Sequence, residues 1–436
     1  MEQNNQQFKS IQEAMEQGSG KVAIRGWVHR ERKSSKLKFI VLRDSSNIIQ
    51  CVIEKEIIGE EKFLTVKKTQ VETSMKIYGE IKKEERAPTG YELHVSDFEI
   101  VGECDTFPIS RDQSIEFLAD NRHLWLRSRK MTAIMKIRST YIQAREEFFK
   151  NKKFWRFDAP ILQPSQCEGG STLFEVKFYK EKTFLSQTWQ LFAEAGIFSL
   201  EKIYNMGPTF RAEKSKTSRH LSEFWMAETE VAWANLQDIS ELAKEELKYC
   251  LKQVLAERQE ELKILERDVG KLNIASNKEW PTIKYREALK ILKEKSEMEV
   301  SFGKDLRTIE EEKIMEHFDT PVVVTHYPKE VMAFYKPKDP DFPDEALCFD
   351  MLAPEGYGEI VGGSQRDTDM EEIKKALERD GEDLENYKFY LDLRKYGSVP
   401  HSGYGVGIER VITWICGLDN VKDAIAFPRT MTRWTP

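Results

Sequence analysis

From residue 21 the chain alternates apolar and polar positions over short runs. KVAIRGWVH, KLKFIVLR and NIIQCVIE are separated by RKSSK and DSSN, two clusters of turn formers. MKIYGEIKK and YELHVSDFEIVG repeat the period of two after a helix-like EEKFLTVKKT. Five short strands in about a hundred residues predict a small closed barrel, for which the five-stranded OB-fold is the commonest arrangement. Residues 104–130 carry a Pro, mixed charge and little periodicity, and read as a linker. From Met131 the spacing changes to that of a helix. Ile134, Ile137, Tyr141, Ala144 and Phe148 fall on one face of a segment predicted to run to Lys150. A second helical stretch is predicted over 236–268, its i, i+4 charges reading as a solvated face. Strand-like CFDMLA and GEIVGG follow. The expected class is α+β: an OB barrel over 1–103, a linker over 104–130, and an antiparallel sheet flanked by helices over 131–436.

A length of 436 residues favours two domains. Composition adds exclusions. Hydrophobic residues make up 40% of the chain, there is no run of 18 apolar residues, and the N-terminal MEQNNQQFKS is polar. A membrane span, a secretion signal and a disordered chain are therefore not expected, and the cytoplasm is the expected location. The six cysteines lie apart with no CxxC pair and read as buried, reduced side chains. Cys167 alone lies in a Gly-rich segment, but no neighbouring His or Lys would activate it. A net charge of −7 excludes a globally basic nucleic-acid binder, so any polyanion must meet a local patch. Arg30, Arg32, Lys33, Lys36 and Lys38 form one around a single turn, with Phe39 following. Cations beside a ring suit single-stranded nucleic acid. A solvated hairpin whose Phe39 fills the barrel fits the same residues equally well.

Charge also appears where buried strands are expected. In PTFRAEKSKTSRHLSEFWMAETEVAW, residues 208–233, Arg211 and Glu213 share one parity. Beyond the loop, Phe224, Met226, Glu228 and Glu230 share one face, and Trp225, Ala227, Thr229 and Val231 the other. The loop adds Lys214, Lys216, Arg219 and His220. Ion pairs alone on such a face would cost desolvation for little net stability. A ligand with phosphates, an amine and a flat ring satisfies the same groups, and ATP beside an amino acid is such a ligand. Arg211 would clamp a phosphate, Glu213 accept from the adenine amine, and Phe224 stack on the base. Gly403, Gly405 and Gly407 lead into a predicted helix whose Arg410 would meet the γ-phosphate, although a tight turn with a surface arginine fits that segment by itself. Asp350 and Glu359 face each other across the turn of CFDMLAPEGYGEIVGGSQR and are candidate hard-oxygen ligands for Mg²⁺. A structural hydrogen bond is the alternative for Asp350.

FRAE with RHLxEF resembles the second signature motif of the class II aminoacyl-tRNA synthetases, in the aspartyl/asparaginyl subgroup of subclass IIb. Pro160 after an amphipathic helix resembles the first motif, and GYGVGIERVITWICGLDNVKDAIAFPR the third. The resemblance runs from the barrel to Pro436. It implies ATP as substrate, Mg²⁺, a tRNA anticodon bound on the barrel, and a homodimer formed through the first motif. Residue by residue it adds Arg219, His220, Leu221, Glu359 and Gly407 to the ATP site. Glu168 resembles a lid residue that meets the substrate α-amino group, and Gln190 a wall residue near the same amine. Gly362, Gly363 and Ser364 keep the backbone open, and Arg366 points toward the amino acid. Phe39 and Gln50 match positions that stack on and read the anticodon.

LSQTWQLFAEA resembles the aspartyl enzymes closely, but Ala193 stands where they carry a lysine that pairs with the substrate carboxylate. Arg366 alone would then face the side chain. Aspartate would lose one of its two cationic partners, a large cost in a desolvated pocket. L-Asparagine avoids it, its carbonyl accepting from Arg366 and its amide donating to Glu228, which would also repel aspartate. Glu228 on the α-amino group is the alternative. The expected activity is therefore ATP-dependent activation of L-asparagine and transfer to tRNA(Asn). An aspartyl enzyme, strict or non-discriminating, stays open. So does a free-standing enzyme making asparagine, which is expected to lack the barrel. A non-catalytic tRNA-binding relative would have lost Arg211 and Arg410.

Overall fold

The period-two segments of the first unit fold as strands because each buries one parity. In the computed structural model, which describes residues 7–167, 172–214 and 217–435, the chain divides into Met1–Leu118 and Ala119–Pro436. Helix α1 (Ile11–Gln17) begins at Ser10, whose hydroxyl and the Glu13 carboxylate form a reciprocal capping box. Strands β1 (Gly20–Lys33), β2 (Leu37–Arg43) and β3 (Ile48–Glu54) follow, then α2 (Glu60–Lys67), β4 (Ser74–Lys83) and β5 (Tyr91–Gly102). They pair in the order β1-β2-β3-β5-β4, and β4 returns to β1, closing the OB barrel. Ile24, Val28, Ile40, Leu42 and Ile53 pack inside it.

Parity corrects one expectation here. Lys38 shares the face of Ile40 and Leu42, and its side chain is buried, donating to Glu31 and to the Thr69 carbonyl. It leaves the surface patch to Arg30, Arg32, Lys33 and Lys36, which are exposed. Phe39 lies on the opposite, outer face, half-buried and outside the core.

In the second unit, α3 (Arg129–Asn151) starts at Ser128, whose hydroxyl accepts from Met131 N at 3.2 Å. There follow β6 (Trp155–Arg156), α4 (Gln190–Leu200), β7 (Lys202–Phe210), β8 (Glu223–Ala232) and α5 (Leu236–Glu257). Next come β9 (Thr282–Lys284), α6 (Thr308–Met315), β10 (Val322–Thr325), β11 (Cys348–Ala353) and β12 (Gly358–Gln365). The chain closes with α7 (Lys388–Lys395), β13 (His401–Gly407) and α8 (Ile408–Cys416). These eight strands form a sheet of order β9-β10-β11-β12-β13-β8-β7-β6, antiparallel except for a parallel pair at each edge, and Leu162–Gln163, Glu175–Phe178 and Glu181–Leu185 form a separate three-stranded sheet.

Two charged residues fasten this sheet to its helices. Arg145 on α3 is fully buried and pairs with Glu246 on α5 at 2.7 Å. It also donates to the carbonyls of Asn205 and Glu228 at 3.0 and 3.1 Å, fixing the strands that carry the polar face. Glu246 thus lies in the core, not on a solvated face, and the predicted 236–268 helix breaks at Arg258. Glu409 on α8 accepts from Trp225 N at 2.9 Å and pairs with Arg138 at 2.7 Å. Residues 119–130, read from sequence as linker, fall inside the second unit. Arg122 is buried there, donating to the carbonyls of Lys422, Ile425 and Ala426. The six cysteines form no disulfide with one another, and Cys167 is buried.

Candidate active site

Strand register assembles the site. Glu228 on β8 lies opposite Gly405 on β13, Gly405 opposite Gly362 on β12, and Gly362 opposite Asp350 on β11. Two residues further along, Glu230, Gly403 and Ser364 form the next row. In the other direction Met226 meets Gly407, where α8 begins. Glycines over the middle strands leave the sheet floor bare, and a cleft lined by residues of all four strands opens above it.

One end of the cleft holds Arg211, Glu213, Arg219, His220, Leu221 and Phe224, with Gly407 and Arg410 facing them. Strand β7 stops at Phe210, so Arg211 and Glu213 reach the cleft from the loop and not from strand parity. The Arg211 guanidinium lies 5.6 Å from the Phe224 ring centre. Its Nε is buried without a hydrogen-bond partner, and among the described residues no carboxylate lies within ion-pair distance. A cation so placed awaits an anion. His220 Nε2 lies 3.2 Å from Glu213. Burial, together with Arg410, Arg219 and Arg211, holds the His220 ring below its ordinary range despite that carboxylate. Arg219 pairs with Glu311 of α6 at 2.9 Å, and Arg410 with Glu359 at 2.8 Å.

Asp350 and Glu359 converge, although a bulge between Met351 and Leu352 shifts their register. A Cβ on Gly362 would lie 3.3 Å from Glu359 Oε1 and 3.5 Å from Asp350 Oδ1, so both carboxylates flank one point. Burial first, and Glu359 second, push the Asp350 carboxyl well above the usual range. Burial acts the same way on Glu359, but Arg410, Arg211 and Lys336 together outweigh it and keep that carboxyl low. Two crowded carboxylates presenting only oxygen suit a hard divalent cation.

At the other end Arg366 makes a bidentate pair with Glu230, at 2.9 and 2.8 Å, and donates to Ser364 Oγ at 2.9 Å. Glu228 on the wall accepts from the Thr188 hydroxyl and, at 2.9 Å, from Trp189 N. Gln190 lines the cleft and donates to Glu194 at 2.9 Å. Ala193 does not reach the cleft. It is fully buried against Trp189, Ile197 and Ile203, so its bearing on the pocket is the lysine it omits. Glu168 lies outside the described residues. On the barrel, Gln50 is half-buried and donates to Glu92 at 2.5 Å.

A family model for class II tRNA synthetases (D, K and N) matches residues 114–431, and one for the OB-fold nucleic acid binding domain matches 22–101. The chain belongs to the class II tRNA synthetases. It is 44% identical to an asparagine–tRNA ligase of Thermoplasma acidophilum, covering 95% of this chain and 96% of that one. An asparagine–tRNA ligase of Thermococcus gammatolerans is 45% identical over the same shares. The crystal structure of the Pyrococcus horikoshii asparaginyl-tRNA synthetase complexed with asparaginyl-adenylate superposes with a TM-score of 0.95 at 42% identity, over 100% of both chains.

This synthetase also carries site residues that sequence reading missed. Lys336 lines the cleft and acts on both Asp350 and Glu359, and Glu311 holds Arg219. Both come from the segment between α5 and β11, where no periodicity or motif pointed to them. Glu194, Arg394 and His401 form a buried cluster behind Arg366. Glu194 stands four residues after Gln190, one helical turn along α4, and that spacing was the available signal.

Proposed function

We propose that the protein joins L-asparagine to ATP as asparaginyl-adenylate and passes the asparaginyl group to the 3′ end of tRNA(Asn). One observation carries this reading. A single cleft combines Arg211, its buried Nε without a hydrogen-bond partner, beside the Phe224 ring with an amino-acid end lined by Arg366 and Glu228, where Ala193 supplies no second cation. Asparagine–tRNA ligases 42–45% identical over nearly the whole chain support it.

In the first step an oxygen of the asparagine carboxylate bonds to the α-phosphorus while the bond to pyrophosphate breaks. Arg211 takes the charge that builds on the α-phosphate, and Arg410, poised against Glu359, receives the γ-phosphate. Phe224 stacks on adenine, with Glu213, Arg219, His220, Leu221 and Gly407 completing the nucleotide wall. Asp350 and Glu359 would hold Mg²⁺, which when bound screens the phosphate charge. In the second step a terminal ribose hydroxyl attacks the acyl carbon, losing its proton as AMP leaves. No enzyme nucleophile is required. Arg366 donates to the side-chain carbonyl, Glu228 accepts from the side-chain amide, and Ser364, Gln190 and Glu168 complete the amino-acid pocket.

On the barrel, Phe39 stacks on an anticodon base and Gln50 reads one. A homodimer through α3 and the adjoining edge strand β6 is supported by Trp155, 61% exposed on that edge. No described helix is long and apolar enough to cross a membrane, and the cytoplasm is the proposed compartment. Pyrophosphate exchange with asparagine and with aspartate, with and without tRNA, tests the reading. A higher kcat/KM for asparagine is expected, whereas parity or a preference for aspartate would return the chain to the aspartyl side.

A further inference from the structure

Behind the amino-acid end lies an ionic cluster that the reaction leaves unused. Glu194, one residue beyond Ala193, is fully buried, and its carboxylate collects four donors. Oε1 accepts from Gln190 at 2.9 Å and from the Tyr390 hydroxyl at 3.1 Å. Oε2 accepts from His401 Nε2 at 3.0 Å and from Arg394 on α7 at 2.5 Å. Arg366 Nε stands 4.0 Å away. Arg394 also donates to the Asp367 carbonyl at 3.0 Å. His401 Nδ1 lies 2.7 Å from the Val399 carbonyl oxygen, which can only accept. Both ring nitrogens of His401 therefore face acceptors. Glu194, Glu230 and His401 could by spacing hold a metal, their ligand atoms lying within 4.8 Å of one another. Arg366 and Arg394 already occupy those carboxylates.

Two guanidinium groups, Arg366 and Arg394, are thus set against two buried carboxylates, Glu230 and Glu194. This arrangement is balanced. A neutral substrate side chain preserves the balance, whereas a carboxylate adds a charge without a partner. Removing the Glu194 charge would leave one excess cation behind Arg366, and a substrate carboxylate would then be the group that restores neutrality.

We infer that Glu194 is a specificity-determining positioning residue: held by Arg394, His401 and Tyr390, it offsets the positive potential that Arg366 presents to the side-chain pocket and so favours asparagine over aspartate. The inference rests on the asparagine reading. Glu194 touches no substrate and acts through Arg366 and Gln190.

The test is the ratio of kcat/KM for asparagine to that for aspartate in pyrophosphate exchange. The wild-type ratio decides the underlying reading, because no preference for asparagine there overturns it whatever the variants do. Given that preference, Glu194→Gln, which keeps the shape but drops the charge, is expected to lower the ratio by about tenfold or more. Arg394→Gln removes a cation from the same cluster and is expected to raise it. Equal losses with both amino acids in both variants would reduce Glu194 to a structural role and overturn the inference. If thermal melting shows Glu194→Gln to be unfolded, Arg394→Gln decides alone: a raised ratio supports the inference, and an unchanged or lowered one overturns it.

Discussion

Arg211 and Arg410 both reach the nucleotide end of the cleft, but in different states. Among the described residues no carboxylate lies within ion-pair distance of Arg211, although its charge helps keep Glu359 ionised, while Arg410 is held by Glu359 directly. Arg211→Ala and Arg410→Ala are each expected to slow adenylate formation by roughly two to three orders of magnitude, the usual loss for one preorganised charge contact. Circular dichroism should show both folded, and near-normal pyrophosphate exchange would remove the residue from the scheme. Asp350 carries a pH dependence whose sign follows from its surroundings. Burial and Glu359 raise its proton affinity in the free protein, and a bound cation requires the ionised form, so binding releases a proton. The gain in Tm from adding Mg²⁺ and ATP should shrink as the pH falls, and Asp350→Asn should flatten that trend. A gain that stays constant in the wild type would remove Asp350 from the cation site.

At the scale of elements, β13 is built so that its neighbours' side chains can cross it. A Cβ on Gly403 would lie 1.9 Å from Glu230 Oε2 and 2.5 Å from Arg366 NH2, both held in a tight buried pair with little room to give. Gly403→Ala should therefore displace Arg366 and raise the KM for asparagine at least about tenfold, with a smaller change in the KM for ATP, whose proposed site lies toward the Gly407 end. Equal changes in both would mean that the strand itself had moved. The same scale explains two failures of pattern reading. Lys38 follows strand parity into the barrel because its ammonium finds Glu31 and a carbonyl there, and Glu246 is drawn into the core by Arg145 and the Tyr404 hydroxyl. Charge suggests exposure only until a buried partner is available.

Across the whole molecule, the two units predict separable functions. Phe39→Ala should weaken tRNA charging by about 1–3 kcal/mol, the scale of one stacked base, and leave tRNA-independent pyrophosphate exchange unchanged. Equal losses in both assays would make Phe39 a structural residue, a role its place outside the barrel core already disfavours. The strands of the barrel, the helix after residue 128 and the charged hairpin of 208–233 were legible in the chain alone, since each depends on a period of two or 3.6 or on turn residues within a few positions. Arg211, Arg410 and the Asp350/Glu359 pair were legible as candidates for the same reason, lying in short motifs whose chemistry is local, whereas Arg366 came only from the family resemblance; the fold brings all five to one cleft. Tertiary structure alone decided which carboxylate each arginine meets. Arg366 takes Glu230, 136 positions away, and Glu194 meets Arg394, 200 positions away. No periodicity spans such separations, because these pairs form only when the register of β8, β12 and β13 and the packing of α4 on α7 close the distance and exclude water.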